Sequence, residues 1–124
     1  MEQESTFSIA CFACGQPVVE ISFAITREMG RAIAQHGFLG AVSAAVIGQQ
    51  SASSDLFAEI RDLAGKDLTL LHAMDPDFFG FVCRRCGAAY CRKCWTNVYP
   101  TFDDGYYDET RGTCPRGHEQ MLQD

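Results

Sequence analysis

Residues 81–95 read FVCRRCGAAYCRKCW, two Cys-x-x-Cys units, Cys83/Cys86 and Cys91/Cys94, joined by the four residues Gly87-Ala88-Ala89-Tyr90. Upstream, residues 9–15 (IACFACG) contain a third unit, Cys11/Cys14. Downstream, TCPRGH at 113–118 supplies Cys114 and His118 across a three-residue gap. A two-residue gap lets a tight turn aim both sulfurs at one ion while the amides of the turn donate to them. Gly15 and Gly87 directly follow the second cysteine of their units, where the chain often needs a positive φ that glycine adopts without strain. Pro115 and Gly117 shape a comparable turn between Cys114 and His118.

The ligand count follows from these pairs. Seven cysteines and one of the three histidines make eight donors, with no thiol left over. Eight donors fill two tetrahedral sites, one of four sulfurs and one of three sulfurs and a nitrogen, and both sets are standard for structural zinc. The expected cofactor is therefore zinc, two ions, held by Cys11, Cys14, Cys83, Cys86, Cys91, Cys94, Cys114 and His118. An odd cysteine count argues against a closed disulfide framework. Iron–sulfur ligation suits an all-sulfur site, but the imidazole and the turn spacings favour zinc. A single Cys-x-x-Cys can be a redox motif; three of them with a Cys-x-x-x-His are read as ligands. His36 and His72 are expected to be ordinary surface or core histidines.

The four residues between Cys86 and Cys91 cannot easily wrap two units around one ion, so those units are expected to serve different ions. Two wirings satisfy this. In a cross-brace, Cys11/Cys14 join Cys91/Cys94, and Cys83/Cys86 join Cys114/His118. In a sequential arrangement, Cys11/Cys14 join Cys83/Cys86, and Cys91/Cys94 join Cys114/His118. The cross-brace is taken first and the other stays open.

The stretch FVCRRCGAAYCRKCW resembles the middle of FYVE, RING and in-between-RING zinc modules, in which a Cys-x-x-Cys, a short strand with an aromatic, and a second Cys-x-x-Cys follow one another. TCPRGH is similar to the Cys-Pro ligand turn that closes many RING domains. The resemblance spans about residues 81–118 and implies a binuclear treble-clef or ribbon-like zinc site. Two departures bear on function. Where FYVE domains carry a lipid-binding basic patch, this chain has Asp75-Pro76-Asp77-Phe78-Phe79-Gly80. Catalytic ubiquitin-transfer modules need a cysteine beyond the ligands, and none is spare.

Outward from the cysteines, the chain has the means for one modest core. It has 124 residues, 47% of them hydrophobic, enough for a single domain of ordinary size. The expected fold class is α+β, a small single domain: a binuclear zinc lobe from 8–15 plus 81–124, with an α/β insertion over 16–80 between the first and second ligand pairs. Residues 1–10 read as a short tail ending in an apolar step. Val18 to Ile25 reads as a strand, and Thr26 as the cap of a helix over 27–36. The apolar run 37–48 reads as a buried helix or strand; small residues at 40, 44 and 48 also let a second backbone approach closely, as in a membrane-associating or dimerising stripe. Ser53 or Ser54 caps an amphipathic helix over 55–64 that ends at Gly65. Leu68 to Met74 reads as a short strand, Asp75-Pro76-Asp77 as a turn, and Asp104-Gly105 as a hairpin turn.

Composition narrows the function classes. The formal net charge is −6, and thiolate ligation would make it more negative, so nucleic acid and acidic membranes are poor partners. No apolar run approaches the roughly 20 residues of a membrane span, and a cytoplasmic location is expected. Arg84, Arg85, Arg92, Lys93, Arg111 and Arg116 cluster near the ligands and read first as compensation of thiolate charge. Neither a nucleophile–base arrangement nor a phosphate-cradling loop is present. The expected function is therefore non-enzymatic: a structural zinc protein acting in protein–protein interaction or as an adaptor, with Trp95, Tyr99, Phe102, Tyr106 and Tyr107 as candidate partner anchors. The alternatives are a nucleic-acid-binding zinc finger using those arginines, and a thiol redox or metal-handling protein.

Overall fold

The computed structural model describes residues 5–124. Its first layer is an antiparallel meander of β1 (Ser5–Ala10), β2 (Pro17–Thr26), β3 (Gly30–His36) and β4 (Ala41–Ala44), in that spatial order. A small hairpin, β5 (Val46–Ile47) with β6 (Gln50–Ser51), leads into two helices, α1 (Ser54–Ala64) and α2 (Leu68–Met74). The cysteine-rich segment forms the short hairpin β7 (Val82–Cys83) with β8 (Ala88–Ala89). The chain ends in a second meander, β9 (Thr96–Asp103), β10 (Tyr106–Thr113) and β11 (Glu119–Gln123), with β10 in the centre. The chain is thus one small domain of mixed strands and two helices.

Helix α1 forms as expected. Ser53 is its cap, accepting from the Leu56 N–H at 3.0 Å. Leu56, Phe57, Ile60 and Leu63 form its buried face. Phe57 packs its ring against Phe7 of β1 at 5.4 Å and Phe23 of β2 at 6.1 Å. The Asp104-Gly105 turn is also as expected, with φ of 54° and 84°, the signs that a type I′ hairpin requires.

Four local expectations are corrected. The segment 5–10, read as the end of a tail, is strand β1, paired with β2 from Ser5↔Phe23 onward. The segment 27–36, read as a helix, is a turn followed by β3. The Thr26 hydroxyl does accept from the Met29 N–H at 3.0 Å, but that contact serves a turn as well as a helix cap. Gly30, at φ 68°, turns the chain back on β2. The run 37–48 is not one buried element, because Gly37, Gly40 and Gly48 all take positive φ and break it into short pieces. Only Phe38 and Ile47 of that run are buried. Leu68 to Met74 is helix α2, capped by the Asp67 carboxylate, which accepts from the Leu70 N–H at 3.0 Å.

One core runs through both layers. Ile21 and Ile33 of the first meander, Ile60 and Leu71 of the helices, and Phe79, Phe81 and Val82 before the ligands are all fully enclosed. Phe38 meets Phe81 edge to face at 6.0 Å, and the buried Gln35 amide donates to the Phe78 carbonyl at 2.6 Å. Gly80 marks the tightest approach. A Cβ there would sit 1.8 Å from the Leu122 carbonyl oxygen on β11, so only glycine lets the β7 segment pass that strand. Gly80→Ala is therefore expected to cost about 3 kcal/mol, whereas Gly30→Ala, in open space at positive φ, is expected to cost about 1 kcal/mol. Paired urea denaturation curves measure both, and equal losses would contradict the packing described.

Candidate metal centre

Each expected ligand pair sits on a turn. Cys11 and Cys14 occupy the β1–β2 turn, Cys83 and Cys86 the β7–β8 turn, Cys91 and Cys94 the link from β8 to β9, and Cys114 and His118 the β10–β11 turn. Backbone bonds close these turns: Gly15 N–H to Cys11 O at 2.9 Å, Gly87 N–H to Cys83 O at 2.8 Å, Cys94 N–H to Cys91 O at 2.9 Å, and Gly117 N–H to Cys114 O at 2.9 Å. Gly15, Gly87 and Gly117 take φ of 79°, 67° and 90°, which is why glycine stands at those places.

The fold gathers the eight residues into two groups. One holds Cys11, Cys14, Cys91 and Cys94, the other Cys83, Cys86, Cys114 and His118, and within each group the donor atoms all lie within 4.8 Å of one another. This is the crossed grouping, alternating along the chain. The sequential arrangement is not formed.

The spacing can be tested against a tetrahedral ion. With a Zn–S length near 2.3 Å, sulfurs at two corners lie about 3.8 Å apart, and a sulfur and a nitrogen about 3.6 Å. In the first group Cys11–Cys94 and Cys14–Cys91 are 3.6 Å apart and Cys91–Cys94 3.7 Å. In the second, Cys86–Cys114 is 3.8 Å, and His118 Nδ1 lies 3.6, 3.4 and 3.4 Å from the sulfurs of Cys83, Cys86 and Cys114. A disulfide would need about 2.05 Å, and all seven thiols are free. The donor sets fit a thiophilic, tetrahedral dication.

The electrostatics point the same way. Backbone amides donate to sulfur: Cys86 N–H to Cys83, and the Arg116 and His118 N–H groups to Cys114, at 3.3–3.4 Å. In the first group, burial works to raise the Cys11 thiol, but the N–H groups of Cys91, Cys14 and Ala13 outweigh it and bring it down to about 6. Burial, aided by the Cys11, Cys91 and Cys14 thiols, pushes Cys94 up to about 12. The second group repeats the pattern. Burial opposes the ionisation of Cys114, but the His118 and Arg116 amides prevail and lower it, while burial lifts Cys83 to about 11. Acids crowded together titrate as a coupled set. A bound dication displaces all their protons.

Two residues hold the groups in place. Gln120, buried on β11, was not singled out by the sequence, which offers no signal for it. Its Nε2 donates to the carbonyls of Val82 at 2.6 Å and Gly80 at 3.2 Å, and its Oε1 accepts from the Arg84 N–H at 3.1 Å. It thereby pins β11 to the Cys83/Cys86 turn. Phe12, between Cys11 and Cys14, donates its N–H to the Ala89 carbonyl of β8 at 2.8 Å.

Other expectations divide. Trp95 is buried, its Nε1 donating to the Tyr90 carbonyl at 3.0 Å, so it belongs to the core and is no partner anchor. Tyr99, Phe102, Tyr106 and Tyr107 are exposed. His36 is exposed on β3, and His72 is buried on α2, outside both groups. Arg111 pairs with Glu109 and Glu119. Among the described residues, Arg84, Arg85, Arg92, Lys93 and Arg116 have no carboxylate partner.

The grouping makes opposite demands on two double variants. Cys11→Ser/Cys91→Ser is expected to leave one metal ion per chain, and Cys11→Ser/Cys83→Ser none, by elemental analysis of the purified protein. The reverse result would fit the sequential arrangement instead.

Neither the curated proteins nor the solved structures include a match to this chain. The model of one family, described as Domain of unknown function (DUF8328), matches residues 1–124. Because that match runs the whole length, the chain is a member of the DUF8328 family.

Proposed function

We propose that the protein is a non-catalytic module held in shape by two zinc ions, and that it acts by binding a protein partner. One ion belongs to Cys11, Cys14, Cys91 and Cys94, and the other to Cys83, Cys86, Cys114 and His118. The observation that carries this reading is the closure of both donor sets at tetrahedral spacing. Each provides four protein ligands, and a zinc ion that activates water keeps a corner open. The mixed sulfur–nitrogen set favours zinc over an iron–sulfur cluster. The likeness of residues 81–118 to FYVE, RING and in-between-RING modules supports a binuclear treble-clef or ribbon-like site, and the interleaving of the pairs comes from the fold.

The interaction half of the proposal rests on the exposed aromatics Tyr99, Phe102, Tyr106 and Tyr107 of the second meander, since aromatic side chains on a rigid sheet make effective anchors. A reducing compartment such as the cytoplasm would keep the thiols available as ligands. Among the described residues no helix is long and apolar enough to cross a membrane.

Structural zinc contributes on the order of 10 kcal/mol to folding, as much as the whole stability of an ordinary small domain. A strong chelator under reducing conditions is therefore expected to abolish the near-ultraviolet circular dichroism of Trp95 and Tyr90, and two equivalents of zinc are expected to restore it. Retention of the native signal in metal-free protein would contradict the structural role.

A further inference from the structure

Residues 102–109, Phe-Asp-Asp-Gly-Tyr-Tyr-Asp-Glu, close the β9–β10 hairpin. Strand β11 pairs with β10 only from Thr110↔Gln123 inward, so the hairpin beyond Thr110 is a two-stranded ribbon. Such a ribbon is marginal alone, yet this one displays Phe102, Tyr106 and Tyr107 at 64%, 78% and 48% exposure. Phe102 and Tyr107 are cross-strand partners, their rings edge to face with centroids 6.5 Å apart. The Tyr107 hydroxyl is tied to Thr110 Oγ1 at 2.7 Å and donates to the Gln123 carbonyl at 3.2 Å. That ring is therefore set before any partner arrives, which lowers the ordering cost of binding.

The charge around it has one sign. No lysine or arginine occurs between Lys93 and Arg111. Among the described residues Asp103, Asp104 and Asp108 have no ion-pair partner, while Glu109 is held by Arg111. Aromatic faces carry negative quadrupoles that attract guanidinium and ammonium groups, and nearby carboxylates deepen that attraction. Long basic side chains also bring an apolar stem to cover the rings. Nucleic-acid bases stack on aromatics too, but their phosphates would face these carboxylates, as would anionic lipid headgroups.

We infer that the β9–β10 tip is the docking surface for a lysine- and arginine-bearing segment of a partner protein. Basic side chains lie against Phe102 and Tyr107, and Asp103, Asp104 and Asp108 supply the opposing charge. The inference rests on the interaction reading above and specifies the chemistry of its partner.

The test uses the 124-residue, zinc-loaded chain, titrated with an alternating Arg–Gly octapeptide and followed by amide chemical shifts. Alternating Glu–Gly and Leu–Ser peptides and a short oligothymidine serve as comparators. The Arg–Gly peptide is expected to shift residues 99–109 and to bind roughly tenfold tighter than any comparator. Raising salt from about 0.02 to 0.2 M is expected to weaken it severalfold. Phe102→Ala/Tyr107→Ala and, separately, Asp103→Asn/Asp104→Asn/Asp108→Asn are each expected to cost roughly fivefold or more, with zinc content unchanged. No binding, shifts lying elsewhere, or equal binding of oligothymidine overturns the inference. Binding of the Leu–Ser peptide at the tip overturns the basic partner while leaving an interaction module standing. Self-association that Phe102→Ala/Tyr107→Ala abolishes, without peptide binding, overturns it in favour of a second copy. Loss of zinc from the parent chain would instead undo the structural reading on which it depends.

Discussion

Thiols at contact distance cannot all be anions unless a cation stands between them. Cys11 and Cys94 are 3.6 Å apart and 83 positions apart in sequence; Cys14 and Cys91 are 3.6 Å apart across 77 positions. The backbone amides that favour ionisation at Cys11 and Cys114, and the burial that resists it at Cys94 and Cys83, put the two demands in direct conflict within each group. A tetrahedral dication held there would resolve the conflict and bring four bonds to the place where the conflict was. The turns of both sheets meet at these two groups, so the rest of the architecture would hang on that exchange.

The alternation of the pairs along the chain gives the exchange its reach. The first group fastens the β1–β2 turn, and with it the four-stranded sheet, to the link entering β9. The second fastens the β7–β8 turn to the β10–β11 turn, and so to the second sheet. Neither sheet is large, and the helices are short. Protein contacts fit around the two clasps: the Gln120 amide across Gly80, Val82 and Arg84, the Phe12–Ala89 bond, and the passage of Gly80 beneath Leu122. These contacts set the distances between the turns, and the turns aim the sulfurs.

That these seven cysteines and His118 come together in two groups was legible because the signal of each pair is local: a fixed gap, a nearby glycine and a donor at each end. Helix α1 was legible for the same reason, through Ser53 and the spacing of Leu56, Phe57, Ile60 and Leu63. The segment 27–36 misleads because alanines carry little strand signal, and its state is decided by the need of β2 for a partner, a tertiary effect that overrides local preference. Leu68 to Met74 fits a short strand by composition, yet Asp67 supplies a helix cap just before it. The run 37–48 looks buried by hydrophobicity, but three glycines of positive φ divide it. Gln120 is invisible in sequence because its role exists only where β11 meets the Cys83/Cys86 turn. Which pairs share a site was likewise undetermined by spacing and is fixed by the fold.

The most direct test of the central claim is an anomalous-difference map at the zinc absorption edge from crystals of the protein. Two peaks are predicted, one enclosed by Cys11, Cys14, Cys91 and Cys94 and one by Cys83, Cys86, Cys114 and His118, each bonded to four protein atoms and to no water. Sulfurs joined as cystine, or an ion with a solvent ligand, would contradict the account.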